Sequence, residues 1–150
     1  MNNEIIKQHI SALQESASFD ETGEWMTVVL PATSWKNIAA ELLRGELKMD
    51  HLFCLTCIDW KTHLTMVYHL SSTAHRQTIV VKMDLDRNDP MMDTVCDLWR
   101  TAEFHEREVY EMFGVQFKGH PDLRRLILTD DFNGYPLRKD FEDPINMIKL

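Results

Sequence analysis

The chain has little of several things, and each shortage closes off a class of function. Its 150 residues include three cysteines, Cys54, Cys57 and Cys96. An odd set of three, behind a start with no basic segment followed by an apolar one, reads as reduced thiols of a cytoplasmic protein without a signal peptide. A four-cysteine iron–sulfur cluster needs one more thiolate than the chain carries. No apolar run approaches the roughly 18 residues of a membrane span, so any membrane contact is expected to go through a partner protein. The five glycines, Gly23, Gly45, Gly114, Gly119 and Gly134, have neither Walker A nor dinucleotide-fingerprint spacing, which excludes a glycine-rich phosphate loop. No serine sits in a nucleophile-elbow pattern. Basic residues number 16 against 24 acidic ones, and the net charge of −8 argues against nucleic acid or an anionic membrane as the main partner.

What is present reads as one globular domain. A chain of this length can bury roughly 68–70% of its unfolded surface, enough for one core. Residues 3–16 predict a helix with Asn3 as N-cap and Ile6, Ile10 and Leu13 on one face. A polar turn at 20–23 leads to a strand at 25–30 that stops at Pro31. Thr33 is then the expected cap of an amphipathic helix carrying Trp35, Ile38, Ala39, Leu42 and Leu43, ended by Gly45. Residues 52–58 are nearly all apolar and predict a central strand. The next two segments alternate, with Leu64, Met66, Tyr68 and Leu70 inward in the first and Ile79, Val81, Met83 and Leu85 in the second. Ser71, Ser72 and Thr73 connect them. Residues 86–90 break the sheet, 94–99 form a short helical turn, and 102–113 form a helix closed by Gly114. The order predicts an α+β fold: a two-layer core over 1–116, with helices on one face of a mixed, mostly antiparallel sheet, and an extended tail over 117–150.

Few constellations could carry chemistry. Cys54 and Cys57 form a CxxC, but on a strand positions i and i+3 point to opposite faces, so buried thiols are expected rather than a zinc half-site or redox pair. His105 and Glu106 begin like a zinc-protease helix, yet Val109 stands where the second histidine belongs. Glu103 with Arg107, and Arg107 with Glu111, predict a salt-bridged solvated face, each pair contributing about 0.2–0.5 kcal/mol. In the tail, Phe117, Leu123, Leu126, Ile127, Leu128, Phe132, Tyr135, Leu137 and Phe141 follow neither period. Arg124, Arg125, Arg138 and Lys139 lie among them. Such a segment needs a surface, either its own domain or a partner.

Three blocks then become specific. Glu106-Arg107-Glu108-Val109-Tyr110-Glu111-Met112-Phe113-Gly114-Val115 resembles the signature helix of the small C subunit of respiratory NADH:quinone oxidoreductase, complex I. Gly119-His120-Pro121-Asp122-Leu123-Arg124-Arg125-Leu126-Ile127-Leu128 continues it in register, and Gly134-Tyr135-Pro136-Leu137-Arg138-Lys139-Asp140-Phe141 is the third block. With the preceding α+β pattern the resemblance covers nearly the whole chain. Phe104 stands where the family usually has Trp.

The resemblance implies a non-catalytic structural subunit in the peripheral arm of a proton-pumping enzyme, on the cytoplasmic side of the inner or cell membrane. Its implied partners are the large quinone-site (D) subunit and the iron–sulfur subunits. Flavin and clusters would be held by partners; this chain would hold no cofactor. Glu106, Arg107, Glu108, Tyr110, Phe113, Gly114, His120, Pro121 and Leu123 would be structural anchors or interface contacts. The same is implied for Arg124, Arg125, Gly134, Pro136, Leu137, Arg138, Lys139 and Asp140. Arg125 and Arg138 are expected to be buried on assembly against Glu106, Glu108 or a neighbour's carboxylates, and the tail to be loose until then. Rival readings are the equivalent subunit of a ferredoxin-, deazaflavin- or hydrogenase-linked membrane complex and, from another class, a small metal-dependent enzyme using His105, Glu106 and His120.

Overall fold

Alternation at period two in two successive segments produces the hairpin at the centre of the sheet. The computed structural model describes residues 1–147. Along the chain run α1 (Asn3–Leu13), β1 (Ser18–Asp20), β2 (Met26–Val29), a 3-10 turn (Ala32–Ser34), α2 (Trp35–Arg44), β3 (His51–Asp59), β4 (His63–Ser72) and β5 (Gln77–Asp86). β6 (Met91–Asp93), α3 (Ala102–Phe113) and β7 (Gln116–Lys118) follow. β4 and β5 pair antiparallel from His63 opposite Asp86 to Ser72 opposite Gln77, and the turn between them comes after Ser72. The five-stranded sheet has the order β1-β2-β5-β4-β3, antiparallel except for β2 beside β5.

One face of this sheet is apolar throughout. Met26, Val28, Leu64, Met66, Tyr68, Leu70, Ile79, Val81, Met83 and Leu85 are all buried there, as the alternation predicts. Over them lie Ile6 and Ile10 of α1, Trp35, Ile38, Ala39 and Leu42 of α2, and Val109 and Phe113 of α3, in one continuous core. Trp35 anchors it, with its ring centroid 4.7 Å from that of Tyr68 and 6.4 Å from that of Trp99. The α+β arrangement with helices on one face is therefore present.

Several expectations are corrected. The apolar run of β3 is not central but an edge strand. It is apolar because Leu52, Leu55 and Cys57 face the core and α3 packs against it, so burial comes from a helix and not from a second neighbouring strand. A register shift between Leu52 and Cys54 keeps Leu52 and Leu55 on one face. Asn2, not Asn3, caps α1, accepting the Ile5 amide at 3.1 Å, and Leu13 is exposed at the helix end. Thr33 lies inside the 3-10 turn and does not cap α2. Residues 94–99, by contrast, hold the short helical turn expected there, with the Leu98 and Trp99 amides both on the Val95 carbonyl at 3.0 and 2.9 Å. The pattern puts the start of the tail at 117, but Phe117 is buried in β7, which pairs in parallel with β6. Three-residue strands carry too little alternation to be seen in sequence.

Candidate functional site: helix α3 and the strap it holds

α3 forms because Gly114, just past its last turn, adopts φ +80°, the left-handed conformation that ends helices cheaply only at glycine. Glu103 in the first turn suits the positive end of the helix dipole. The helix does not show the salt-bridged solvated face that its charges suggest. Glu106, Arg107 and Glu111 are all buried.

Arg107 and Glu111, one turn apart, bind the main chain of the segment that follows β7. Arg107 donates through Nε to the Arg124 carbonyl at 3.0 Å and through Nη2 to the Arg125 carbonyl at 2.9 Å. The Glu111 carboxylate accepts the amides of Leu126 at 2.9 Å, Ile127 at 3.0 Å and Leu128 at 3.1 Å. The cation thus takes carbonyls and the anion takes the amides that come next, so 124–128 are fixed by charge-assisted bonds that ignore side-chain identity. Among the described ion pairs none joins Arg107 to Glu103 or Glu111. This is why the helical i,i+4 inference fails.

The third block fastens lower on the same helix. The last carbonyls of a helix lack intrahelical partners. Here the Leu137 amide donates to the Met112 carbonyl at 3.1 Å and Arg138 Nε donates to the Phe113 carbonyl at 2.6 Å. The Tyr135 ring lies against Gly114 so closely that a Cβ there would be 2.7 Å from ring carbons, and Arg138 lies 5.1 Å from the centre of that ring. Gly134, at φ +86°, presses on Phe141, which stacks on Phe132. Pro136 is half-buried.

A second clasp lies at the end of β3. The Asp59 carboxylate accepts Arg87 Nε at 3.0 Å, Arg87 Nη2 at 2.8 Å, the Lys61 amide at 2.7 Å and the Lys139 amide at 2.8 Å. The Arg87 hydrogen bonds hold Asp59 well below the usual carboxylate range, against the opposing effect of burial and with help from the two amides. Arg87 also reaches Asp140 at 3.1 Å, and Lys139 Nζ lies 5.9 Å from the Trp60 ring centre. Sequence reasoning missed Asp59 and Arg87. The available signal was an acid at an inward register position, two residues after buried Cys57.

Glu106 is fully buried against the segment that begins at Thr94. It accepts the Thr94 hydroxyl at 2.5 Å and the Val95 amide at 2.8 Å, while burial pushes its pKa up to about 7. His120 Nδ1 accepts the Asp122 amide at 3.0 Å, so the ring proton is on Nε2, which donates to the Glu103 carbonyl at 3.0 Å. Cys96, Glu106 and His120 place their ligand atoms within 4.8 Å of one another. They fit a metal poorly. Coordination at His120 Nε2 would need the proton on Nδ1, facing the Asp122 N–H, and both Glu106 oxygens already accept bonds. The trio His105, Glu106 and His120 is not what the fold gathers: Cys96 stands in place of His105.

The remaining residues are scattered in role. Glu108 and Pro121 are exposed, Tyr110 is half-buried, and Leu123 packs half-buried against the core. Arg124 is 72% exposed and pairs locally with Asp122 at 2.9 Å. Arg125 donates to the Thr129 carbonyl at 2.8 Å. Neither Arg125 nor Arg138 pairs with Glu106 or Glu108 among the described residues, because both bind carbonyl oxygens. Cys54 and Cys57 lie on opposite faces of β3, Cys57 under the core with its thiol pushed up to about 12 by burial, ahead of the nearby Asp59 charge. No helix among the described residues is long and apolar enough to cross a membrane.

Residues 28–145 match the family described as "Respiratory-chain NADH dehydrogenase, 30 Kd subunit". The C/D subunit of the NADH-quinone oxidoreductase of Phocaeicola vulgatus is 43% identical over 125 residues, 82% of this chain and 24% of that protein. The C subunit of the enzyme of Chloroherpeton thalassium is 40% identical over 112 residues, 73% of this chain and 47% of that protein. This chain therefore spans less than half the length of either relative. The C subunit of the F(420)H(2) dehydrogenase of Methanosarcina mazei is 40% identical over 105 residues, 68% of this chain and 66% of that protein. Among solved structures, the trypsin-resistant fragment of Nqo5 superposes with a TM-score of 0.72 at 29% identity, covering 82% of this chain and 100% of the fragment. A chain of the membrane-bound sulfane sulfur reductase, an archaeal respiratory membrane complex, gives 0.79 at 27% identity over 93% of this chain and 85% of its own length. The three blocks that α3 gathers lie inside the matched span, and the chain belongs to the family of the 30 Kd subunit of respiratory-chain NADH dehydrogenase.

Proposed function

We propose that the chain is a non-catalytic structural subunit of a proton-pumping NADH:quinone oxidoreductase. It supports electron transfer by binding the large quinone-site subunit of the peripheral arm, on the cytoplasmic side of the membrane. One observation carries the reading. Buried Arg107 and Glu111 and half-buried Arg138 of the matched blocks bind the chain's own main chain, while Leu126, Ile127 and Leu137 on the strap so held stay exposed. Catalytic groups need free valences converging on a cavity. Apolar side chains on a fixed backbone suit a protein neighbour. Flavin and clusters belong, on this reading, to the partner subunits.

A second reading within the class is supported by the likeness to an F(420)H(2) dehydrogenase subunit and to a chain of the sulfane sulfur reductase. The electron donor would then differ, and a scaffold of this kind would serve either complex. Cross-linking tests the partner. A Leu137→Cys variant carrying a short thiol-directed cross-linker in native membranes should join the large quinone-site subunit. Cross-links only to other proteins would reject that assignment.

A further inference from the structure

Resting on the scaffold reading, we infer that loop 124–128 is a preformed hydrophobic knob that seats in an apolar pocket of a neighbouring subunit, with Arg107 and Glu111 as its positioning residues. Ile127 is 68% exposed and Leu126 is 38% exposed, although both sit on a main chain held at five successive positions, two carbonyls by Arg107 and three amides by Glu111. A mobile loop would lose conformational freedom on docking, whereas this one is ordered when the domain folds, so its side chains dock with little further loss. The buried charges of α3 shape the knob without covering it.

The pocket's chemistry follows from the loop's flanks. Arg124, 72% exposed, bonds a half-exposed Asp122 through Nε, and its Nη groups are the part of the guanidinium that would meet a carboxylate on the pocket rim. Asp130 and Asp131 follow closely and are exposed. Acidic neighbours of this kind disfavour an anionic lipid surface, so a protein pocket is the occupant and a bilayer the alternative to be excluded.

The test uses the full complex and the purified full chain. Ile127→Asp should lower the assembled complex on native gels about tenfold or more, and the uncharged Ile127→Ala about threefold or more, with the melting temperature of the purified chain unchanged. Glu111→Ala should speed amide exchange at 126–128 about tenfold and lower assembly with the knob's side chains intact, and Glu111→Gln should restore part of both. Full assembly and normal turnover of both Ile127 variants would overturn the knob while leaving the scaffold reading standing. Full assembly with lost turnover would instead contradict the scaffold reading. If Ile127→Asp only abolished cosedimentation of the purified chain with phosphatidylglycerol vesicles, the occupant would be lipid and the inference would be wrong.

Discussion

Arg87 grips Asp59 with two prongs, Nε to Oδ1 at 3.0 Å and Nη2 to Oδ2 at 2.8 Å, and the carboxylate it fixes also receives the amide of Lys139 from 80 residues away. The Asp59 side chain is 1% exposed, so the pair is desolvated and differs from a surface salt bridge worth about 0–1 kcal/mol. Arg87→Ala would leave the Asp59 carboxylate with only the Lys61 and Lys139 amides and should lower the midpoint of urea unfolding. An unchanged midpoint would show that the clasp is incidental. Because Asp59 titrates below its unfolded value, its contribution is present above pH about 4 and is lost as pH falls toward the folded value.

Glu106 behaves in the opposite sense. Burial raises its pKa to about 7, so the protonated form is favoured by folding. Its contribution is greatest below the unfolded value near 4.5 and falls by about 3 kcal/mol as pH rises through 7. Glu106→Gln keeps one oxygen to accept the Val95 amide, presents an amide donor to the Thr94 hydroxyl oxygen, and does not ionise. The difference in unfolding free energy between wild type and variant should therefore shift in favour of the variant between pH 5 and pH 8. Parallel stability curves across that range would refute the raised pKa.

Gly114 couples the helix end to the third block. Gly114→Ala forces a side chain into the left-handed region, at about 1–2 kcal/mol, and drives a Cβ into the Tyr135 ring. The melting temperature should fall, and exchange at Leu137, whose amide bonds to the same helix end, should accelerate. Loss of stability with unchanged exchange at Leu137 would mean that strap and helix end are not coupled.

The cysteines should behave as unlinked thiols. Cys57, buried and pushed up to about 12, should resist alkylation at pH 8 until the chain unfolds. Mild oxidation should leave Cys54 and Cys57 unjoined because they face opposite sides of β3. Mass spectrometry of an alkylated, oxidised sample reads both outcomes; a Cys54–Cys57 disulfide in the native fraction would contradict the register.

Sequence makes the regular elements legible where a period is long enough to see. The eight inward positions of β4 and β5 and the span of α3 are where alternation, helical spacing and Gly114 place them. The blocks that carry the family likeness are equally plain. What sequence does not supply is direction. Glu103, Arg107 and Glu111 have the spacing of a solvated ladder, and only the return of 124–128 across the helix turns two of them inward. Likewise β3 looks central because composition reports burial, while the element that buries it is a helix about 50 residues away. The roles of Asp59 and Arg87 depend on a contact with residues 139 and 140, which no local pattern announces.

The most direct measurement of the scaffold claim is turnover per assembled complex in Arg138→Glu membranes. Arg138 ties the strap to the Phe113 carbonyl and packs on Tyr135, so the charge reversal should release that segment and lower the amount of intact complex on native gels. NADH:quinone activity should fall in proportion to complex abundance, with activity per complex near that of wild type. Normal abundance with lost activity would contradict the scaffold role and give this chain a direct part in the reaction.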